Sequence, residues 1–273
     1  MSVTDADFEF VRHLVRDRSA IALGDGKAYL VQARLGPLAQ REGLASVGEL
    51  VSRIRAGERA LGDDVVEALT INETSFFRDS HPFEALRQDV IPDLVSGGRR
   101  VLRIWSAAAS TGQEAYSVAM LLAEHFPNLP DATILATDLS RPVLDRAALG
   151  CFTQLEVNRG LPARLLVKHF DRHGLEWQVK DRVRRMVTFR QLNLARPLVS
   201  VPPMDIVLLR NVLIYFDPDT KSAVLREMAR VMRPGGYLFM GGAETTYGLD
   251  PQWQRVDVGR TVLYRLTATK GAQ

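Results

Sequence analysis

Cysteine is nearly absent from this 273-residue sequence, and its scarcity removes several kinds of chemistry. Cys151 is the single cysteine, which excludes an internal disulfide and a metal site built from several cysteines. Such usage is typical of proteins in a reducing compartment. The five histidines lack the spacing of a metal-ligand set, so we expect no metal in the protein.

Long hydrophobic runs are also missing. No stretch of about 18 residues is continuously apolar, as a membrane-spanning helix requires. The N-terminus, Met1–Asp7, is acidic and lacks the basic and apolar regions of a secretion signal. We therefore expect a soluble, cytoplasmic protein without membrane insertion.

The net charge of +3 is small, but positive charge is concentrated in one segment. Residues 164–190 contain eight basic and three acidic side chains. The segment either binds an acidic partner or forms an ordinary solvated face, and composition leaves both interpretations open. It lacks the interleaved aromatic residues of a base-stacking surface, so we expect no nucleic-acid partner.

Hydrophobic spacing divides the chain into two regions. In the first seventy or so residues, apolar residues such as Phe8 and Val11 recur at helical spacing, and no strand pattern occurs. From about residue 80, strands alternate with helices, which is typical of an α/β fold with a parallel sheet. We predict a helical domain over residues 1–75 and an α/β domain over residues 76–273. Short strand-like pieces interrupt the alternation at about residues 151–190, where we predict an inserted β subdomain.

Polar residues also mark where helices are expected to begin. The candidate N-caps are Ser80 or Asp79, Ser140, and Asp217. After the first predicted strand, two pairs of residues have the spacing of a capping box. These pairs are Ser110 with Gln113 and Thr111 with Glu114.

The segment Asn72–Asp79, here called the octapeptide, places two adjacent aromatic residues inside a polar sequence. So many hydrogen-bonding groups within about two helical turns usually serve a ligand rather than a core. The octapeptide lies at the junction of the two predicted domains, so we expect it to form a lid over the ligand. Phe76 and Phe77 are expected to pack the two domains together.

Two loops after predicted strands indicate the kind of ligand. Ser106–Gly112 consists of small residues that let a ligand approach a helix start, and Glu114 suits a cation better than a pyrophosphate. The loop lacks the motifs of a phosphate loop. Asp138 ends the next strand, where α/β folds use a carboxylate to bind ribose, although such an acid is often just a cap. A nucleoside with a positively charged tail fits both loops, and S-adenosylmethionine is such a molecule.

A third loop, Leu209–Asp217, follows the strand that runs beside the cofactor in such folds. It offers the amide of Asn211 and the phenol of Tyr215 to a substrate. Both residues also have structural interpretations, Asn211 as a turn residue and Tyr215 as a packed aromatic ring.

Four segments, in this order, resemble the CheR-type chemotaxis receptor glutamate O-methyltransferases. They are Asn72–Asp79, Ile104–Glu114, Ala136–Ser140 and Arg210–Asp217. The resemblance covers nearly the whole chain, and it implies a Rossmann-like class I methyltransferase sheet with a helical N-terminal domain and an inserted β subdomain. The implied reaction moves a methyl group from S-adenosylmethionine to glutamate carboxylates on the cytoplasmic helices of chemoreceptors, leaving S-adenosylhomocysteine. The resulting methyl esters serve chemotactic adaptation.

By motif position, the resemblance also implies roles for single residues. Asn211 and Tyr215 stand at the catalytic positions, with Tyr215 near the transferred methyl group. The implied cofactor-binding residues are Asn72, Thr74, Arg78, Glu114, Asp138, Asn193, Leu194, Arg210 and Asn211.

The partner implied by the resemblance is a chemoreceptor cytoplasmic domain. Members of the family that dock a receptor's C-terminal pentapeptide carry a glycine-containing loop in the insert, and the loop Asp171–Glu176 looks short here. We therefore expect a pentapeptide-independent enzyme, and we expect it to be a monomer.

Two other functions stay open on the sequence alone. One is a methyltransferase that acts on a different substrate, such as a small molecule or a nucleic acid. The other is a sensor that binds S-adenosylmethionine or S-adenosylhomocysteine without catalysis. The presence of both Asn211 and Tyr215 argues against a sensor, because binding alone does not need acceptor-side residues.

Overall fold

A computed structural model describes residues 3–129 and 131–266. Within these residues the chain separates into two compact units, one ending at Ile71 and including Tyr215–Thr220, and the other comprising Asn72–Ile214 and residues 221–266. The helices are α1 (Asp5–Ser19), α2 (Ala28–Arg41), α3 (Val47–Arg55), α4 (Arg59–Leu69), α5 (His81–Ala85), α6 (Ile91–Ser96), α7 (Gln113–His125), α8 (Arg141–Leu149), α9 (Gln154–Asn158), α10 (Ala163–His169), α11 (Asp181–Arg184) and α12 (Pro218–Val231). The strands are β1 (Val101–Ala107), β2 (Asp131–Asp138), β3 (Cys151–Thr153), β4 (Phe170–His173), β5 (Glu176–Val179), β6 (Val187–Gln191), β7 (Met204–Leu209), β8 (Met232–Met240), β9 (Trp253–Val258) and β10 (Thr261–Leu266). A π-helical turn, Leu86–Val90, joins α5 to α6, and a 3-10 turn covers Leu213–Tyr215.

The first unit is built from α1, α2, α3 and α4, which confirms the helical N-terminal region predicted from the sequence. Each helix buries one apolar stripe, as Val11 and Val15 do on α1. Thr4 begins α1 by accepting a hydrogen bond from the backbone N–H of Asp7 at 3.2 Å. Asp217 also belongs to this unit, where its carboxylate pairs with Arg16 at 2.9 Å.

The second unit contains a seven-stranded sheet in the order β6-β2-β1-β7-β8-β10-β9. The strands from β6 to β8 are parallel, and β10 runs antiparallel to both of its neighbours. All residues of Met204–Leu209 are buried, as expected for a central strand covered on both faces. The predicted α/β fold is therefore confirmed.

A second, three-stranded sheet has the order β3-β5-β4 and is antiparallel. It accounts for only part of the predicted insert at residues 151–190, which also contains helices α9, α10 and α11. Val187–Gln191 does not join the small sheet, because it pairs in parallel with β2 at the edge of the large one. Short apolar alternation identifies a strand, but it does not reveal which sheet the strand enters.

The two phenylalanines of the octapeptide pack inside the second unit. The ring of Phe76 is fully buried and meets the rings of Phe152 and Phe170 at centroid distances of 5.0 and 5.8 Å. Phe77 contacts Phe83 at 5.1 Å. These rings therefore join the octapeptide to the insert and to α5, whereas the sequence predicted that they would pack the two domains together.

Two of the predicted N-caps are confirmed. The Ser140 hydroxyl accepts a hydrogen bond from the Val143 N–H at 3.3 Å, and the Asp217 carboxylate accepts one from the Thr220 N–H at 2.8 Å. The predicted cap of α5 is wrong, because Ser80 adopts a φ of 45° and its side chain makes no capping bond.

The capping boxes predicted at the start of α7 are also wrong. Gly112 occupies the N-cap position with a φ of 93° and has no side chain to donate or accept. Ser110 instead donates its hydroxyl to the carbonyl oxygen of Asn72 at 2.8 Å, and Thr111 donates to the side chain of Gln113. Glu114 is engaged by a distant arginine, as described below. Distant partners have thus replaced the expected local ones for Ser110 and Glu114, whereas Thr111 bonds a different local residue.

Over residues 3–129 and 131–266, no helix combines the length and the apolar character needed to cross a membrane. The same residues contain no group of three or more histidine, cysteine or acidic side chains arranged to hold a metal ion.

Candidate functional site

The strand order brings three loops together at the carboxyl edge of the large sheet. Strands β2, β1 and β7 are neighbours, so the loops that follow them lie side by side, where open α/β sheets bind their ligands. Backbone strain also concentrates at this edge. The non-glycine residues with positive φ in these loops and in or directly after the octapeptide are Phe77, Asp79, Ser80, Ala108, Ser110 and Asn211. Such conformations persist where the surrounding structure enforces them, and they cluster at functional sites.

Asp138 ends β2 and is buried, with 8% of its surface exposed. Its Oδ2 accepts a hydrogen bond from the Ser110 N–H at 2.8 Å, and its Oδ1 accepts one from the Ser140 N–H at 3.0 Å. Burial raises the pKa of the Asp138 carboxyl, and these backbone donors oppose that rise. An ionised carboxylate has about four acceptor positions, so Asp138 keeps capacity for further donors after fixing the loop after β1.

Arg210, directly after β7, connects three segments of the site. Its guanidinium, 2% exposed, donates to the Glu114 carboxylate at 2.9 Å, to Asp79 at 2.7 Å and to the Arg78 carbonyl oxygen at 2.9 Å. The other Glu114 oxygen accepts a hydrogen bond from the Ser106 hydroxyl at 2.8 Å. Glu114 and Arg210, both predicted to contact the cofactor, therefore contact each other, and the pair fixes the octapeptide to α7 and β7.

The octapeptide is anchored along its whole length. The carbonyl oxygen of Asn72 accepts a hydrogen bond from Ser110, and the Phe77 N–H donates to the Ser117 hydroxyl at 3.0 Å. Arg78 donates back to the Glu73 carbonyl oxygen at 3.3 Å. The function of the octapeptide as a lid remains a prediction.

One glycine allows the octapeptide to pack closely on the insert. Gly160 has a φ of 87°, and a Cβ at this position would overlap the carbonyl oxygen of Phe76. Thr74, which was predicted to bind the cofactor, lies half-buried between the octapeptide's two anchored ends.

Asn211 adopts a left-handed conformation, with a φ of 59°. Its side-chain Oδ1 is buried and has no hydrogen-bond partner among the described residues. Gly241 packs against this residue, since a Cβ on Gly241 would approach Asn211 Nδ2 to 2.7 Å. An unsatisfied buried acceptor at the carboxyl edge of a sheet is a costly arrangement, and a bound ligand would relieve it.

Glu244 holds the loop after β7 in place, although it was not predicted as a site residue. Its Oε2 accepts hydrogen bonds from the N–H groups of Asn211 and Gly241, both at 2.7 Å. Its Oε1 accepts from the Val212 N–H at 2.8 Å and from the Ile214 N–H at 3.4 Å. We call this arrangement the Glu244 clamp. In the sequence, the clamp is visible only as an acidic residue shortly after β8. A single acidic residue in a loop does not indicate that four backbone N–H groups will surround it.

The remaining predicted residues lie in separate places. Asn193 follows β6, and its side chain accepts a hydrogen bond from the Ala195 N–H at 2.9 Å, while Leu194 is buried. Tyr215 belongs to the first unit, where its carbonyl oxygen accepts a hydrogen bond from the Ala22 N–H at 2.8 Å. The second unit thus brings together Glu114, Asp138, Arg210 and Asn211 at one edge of its sheet.

This edge has the chemistry that a nucleoside with a cationic tail requires. Small residues at Ser106–Ser110 give access to the backbone, and Asp138 can accept further hydrogen bonds. The unsatisfied Oδ1 of Asn211 supplies a further acceptor. All of these groups favour donors or positive charge on the ligand.

Comparison with known proteins finds relatives along the whole chain. Residues 6–70 match the family described as "CheR methyltransferase, all-alpha domain", and residues 72–261 match "CheR methyltransferase, SAM binding domain". "Chemotaxis protein methyltransferase 1" of Pseudomonas aeruginosa is 42% identical over 273 residues, which cover 97% of this chain and 99% of that protein. "Chemotaxis protein methyltransferase Cher2" of Pseudomonas putida is 42% identical over 274 residues, with the same coverage of 97% and 99%.

Solved structures also match, at low similarity. PKMT2 from Rickettsia typhi in complex with AdoHcy is 11% identical, with a TM-score of 0.33 over 52% of this chain and 21% of that chain. A similarity of this size supports no argument about the present protein.

Proposed function

The chain belongs to the CheR family of S-adenosylmethionine-dependent methyltransferases, and we propose that it methylates glutamate carboxylates on the cytoplasmic helices of chemoreceptors. The observation that carries the proposal is the similarity, over 97% of the chain, to proteins named chemotaxis protein methyltransferases. The carboxylate substrate receives separate support from the chemistry of the site.

The carboxylates at the site already form ion pairs or accept hydrogen bonds within the protein. Glu114 and Asp79 pair with Arg210, Asp138 accepts two backbone N–H groups, and Glu244 accepts four. Glu114, Asp79 and Glu244 are poor general bases, because taking up a proton would weaken the ion pair or hydrogen bonds that hold them. A glutamate substrate needs no base, since its carboxylate is already ionised near neutral pH. The site therefore suits an acceptor that arrives deprotonated.

The residues present fit S-adenosylmethionine as the cofactor. We propose that Asp138 binds the ribose hydroxyls and that Asn193 and Leu194 border the adenine. Asn72, Thr74, Arg78, Glu114 and Arg210 are proposed to surround the amino-acid end. Because Glu114 and Arg210 are paired with each other, their charges partly cancel, and each retains hydrogen-bonding capacity for the ligand.

When bound, S-adenosylmethionine supplies a methyl carbon on a sulfonium, so carboxylate attack forms a C–O bond, breaks the C–S bond and leaves a neutral thioether. No proton is transferred. The protein's contribution is therefore positioning, which can supply about 7–11 kcal/mol when reacting groups are aligned. The Glu244 clamp fixes Asn211, whose side chain we propose to orient the acceptor, and Tyr215 is proposed to lie near the transferred methyl group.

We further propose that the receptor is recognised without a C-terminal pentapeptide. Strands β4 and β5 are joined by the two-residue turn Gly174-Leu175, which supports this proposal because little loop extends beyond the small sheet. The proposed site of action is the cytoplasm, where the receptor helices lie, and the proposed active form is a monomer. The proposed domains are residues 1–75 and 76–273, with an insert near residues 151–190.

Methyl transfer from radiolabelled S-adenosylmethionine to a purified receptor cytoplasmic fragment tests the function. We expect label on the fragment that is released as methanol by mild alkali, as a methyl ester requires. Label that resists alkali would indicate a nitrogen or carbon acceptor and thus a different substrate. Binding of S-adenosylhomocysteine without any transfer would indicate a sensor.

A further inference from the structure

A polar cavity of about 430 Å³ lies next to the site described above. This volume falls within the range of about 300–1,000 Å³ that is typical of ligand pockets. The residues that border it come from the octapeptide, α5, the loop after β8 and the β9–β10 hairpin, and they include Asp79, His81, Arg210, Glu244, Arg255 and Arg260.

The cavity is distinct from the edge that we assign to the cofactor. Its lining contains neither Asp138 nor Glu114, and it shares Arg210 with that edge. It lies beyond the carboxyl ends of β7 and β8, whereas Asp138 lies at the end of β2, three positions away from β8 in the sheet. A two-substrate enzyme needs a second site adjoining the first, and this cavity has that position.

Most charged side chains around the cavity already have partners within the protein. Asp79 pairs with Arg210, and the Glu244 carboxylate accepts four backbone N–H groups. Arg255 pairs with Asp257 at 2.8 Å. The Asp79–Arg210 and Arg255–Asp257 pairs are neutral as pairs, and the Glu244 carboxylate keeps a negative charge that the four N–H groups stabilise, so none of these groups attracts an anion.

Arg260 is different, because no acid among residues 3–129 and 131–266 lies within ion-pair distance of it. It stands in the two-residue turn Gly259-Arg260, between the paired residues Val258 and Thr261. Thr261 is in turn held by His81, whose Nδ1 lies 2.8 Å from the Thr261 hydroxyl oxygen. The turn therefore places a positively charged residue without an acidic partner at the rim of the cavity.

We infer that this cavity receives the methyl-accepting carboxylate and that Arg260 attracts and orients the acidic segment carrying it. The inference rests on the proposed function, because it locates the acceptor of that reaction. A carboxylate could also come from the amino-acid end of the cofactor, since both ligands carry one. If the carboxylate belongs to the receptor, KM for the receptor fragment depends on Arg260. If it belongs to the cofactor, the affinity for the cofactor depends on Arg260 instead.

Three variants of the full-length protein separate these sources. Arg260→Ala removes the charge, Arg260→Glu reverses it and Arg260→Lys retains it. Arg226→Ala on α12 is the matched control, because Arg226 is exposed, lacks an ion pair among the described residues and lies outside the cavity. For each variant, KM for the receptor fragment, kcat, and the Kd of S-adenosylhomocysteine by calorimetry are measured.

We expect KM for the fragment to rise about tenfold in Arg260→Ala, which corresponds to the loss of one charge-assisted contact, and to rise further in Arg260→Glu. Arg260→Lys retains most of the wild-type KM, and Arg226→Ala leaves it unchanged. The Kd of S-adenosylhomocysteine stays within about twofold of the wild-type value in all four variants, because the cofactor does not reach Arg260.

Other outcomes overturn the inference in distinguishable ways. A KM unchanged in both Arg260→Ala and Arg260→Glu, while wild-type protein still forms alkali-labile esters, overturns the acceptor cavity and leaves the proposed function intact. A Kd of S-adenosylhomocysteine that rises with KM assigns the cavity to the cofactor instead. Wild-type protein that forms only alkali-stable product overturns both the proposed function and the cavity assignment.

Discussion

Arg210 and Glu114 lie 96 positions apart in the sequence, yet their side chains meet at 2.9 Å at the carboxyl edge of the sheet. Both are buried or nearly so, and Arg210 extends the contact to Asp79 in the octapeptide. The pair therefore acts as a brace between the octapeptide, α7 and the loop after β7.

Removing this brace is expected to destabilise the protein. Arg210→Ala leaves the Glu114 carboxylate without its cationic partner, which costs about 3 kcal/mol for a buried pair. The midpoint of urea unfolding should fall accordingly, and binding of S-adenosylhomocysteine should weaken. Arg226→Ala serves as the control for loss of an exposed arginine. An unchanged midpoint in Arg210→Ala would show that the brace does not stabilise the fold.

Asp138 is expected to determine cofactor affinity. Asp138→Asn preserves the size of the side chain but replaces one acceptor oxygen with a donor that faces a backbone N–H. We expect the Kd of S-adenosylhomocysteine to rise at least about tenfold by calorimetry. Asp131→Asn, at the exposed start of β2, is the matched control and should retain wild-type affinity. Equal affinities in both variants would contradict the assignment of Asp138.

The Glu244 clamp should matter for catalysis more than for cofactor binding. Glu244→Gln places an amide donor against backbone N–H groups, so the loop carrying Asn211 loses its fixed position. Because a displacement of about 1 Å can cost about 100-fold in rate, we expect kcat to fall by about 10- to 100-fold. The Kd of S-adenosylhomocysteine should change little.

Glu227→Gln is a suitable control for the Glu244 variant, since Glu227 also accepts a backbone hydrogen bond, from Leu198 at 3.0 Å. Its kcat should match the wild-type value. If kcat for Glu244→Gln were also unchanged, the clamp would have no role in positioning the acceptor.

Tyr215→Phe tests the proposed catalytic tyrosine. Loss of the hydroxyl should lower kcat about tenfold and leave the Kd of S-adenosylhomocysteine nearly unchanged, as expected for a group that acts on the acceptor. Steady-state kinetics and calorimetry on the same preparation measure both values. A variant with wild-type turnover would remove Tyr215 from the mechanism.

His169 should make the protein less stable in mild acid. Its ring is fully buried, with Nε2 2.8 Å from the Glu124 carboxylate and Nδ1 3.3 Å from an Arg182 donor. Burial lowers the pKa of His169, and the nearby charges of Arg182 and Lys168 lower it further, whereas Glu124 opposes them. The folded state therefore favours the neutral ring, which can donate to Glu124 and accept from Arg182.

The sign of the pH effect follows from that lowered pKa. Below the unfolded value of about 6.5, the unfolded chain binds a proton that the folded chain resists, so the free energy of unfolding decreases as pH falls. The urea midpoint of the wild-type protein should be lower at about pH 5.5 than at about pH 7.5, and His169→Gln should reduce this difference. His13→Gln, at an exposed position, should not. Equal wild-type midpoints at the two pH values would contradict the prediction.

Local signals in the sequence predicted much of the fold. Ser140 and Asp217 cap helices as expected because a cap depends on residues two or three positions away. The alternation of strands and helices likewise predicted the parallel sheet. Asp138 could be singled out because its position after a strand has a defined geometry in α/β folds.

The features that could not be predicted from the sequence are contacts between residues that lie far apart along the chain. The spacing of Thr111 and Glu114 suggested a capping box, but Glu114 instead pairs with Arg210, which lies in the loop after β7. The Glu244 clamp joins two loops in the same way. Val187–Gln191 was predicted to belong to the insert, because the sequence of a single strand does not show which sheet the strand joins.

The central claim is that the accepting atom is a carboxylate oxygen of a receptor glutamate, and mass spectrometry of a methylated receptor fragment tests it most directly. After reaction with S-adenosylmethionine, peptides should gain the mass of one methylene at glutamate, and mild alkali should remove it. Methylation located on any other residue type, or on glutamate peptides but resistant to alkali, would contradict the claim.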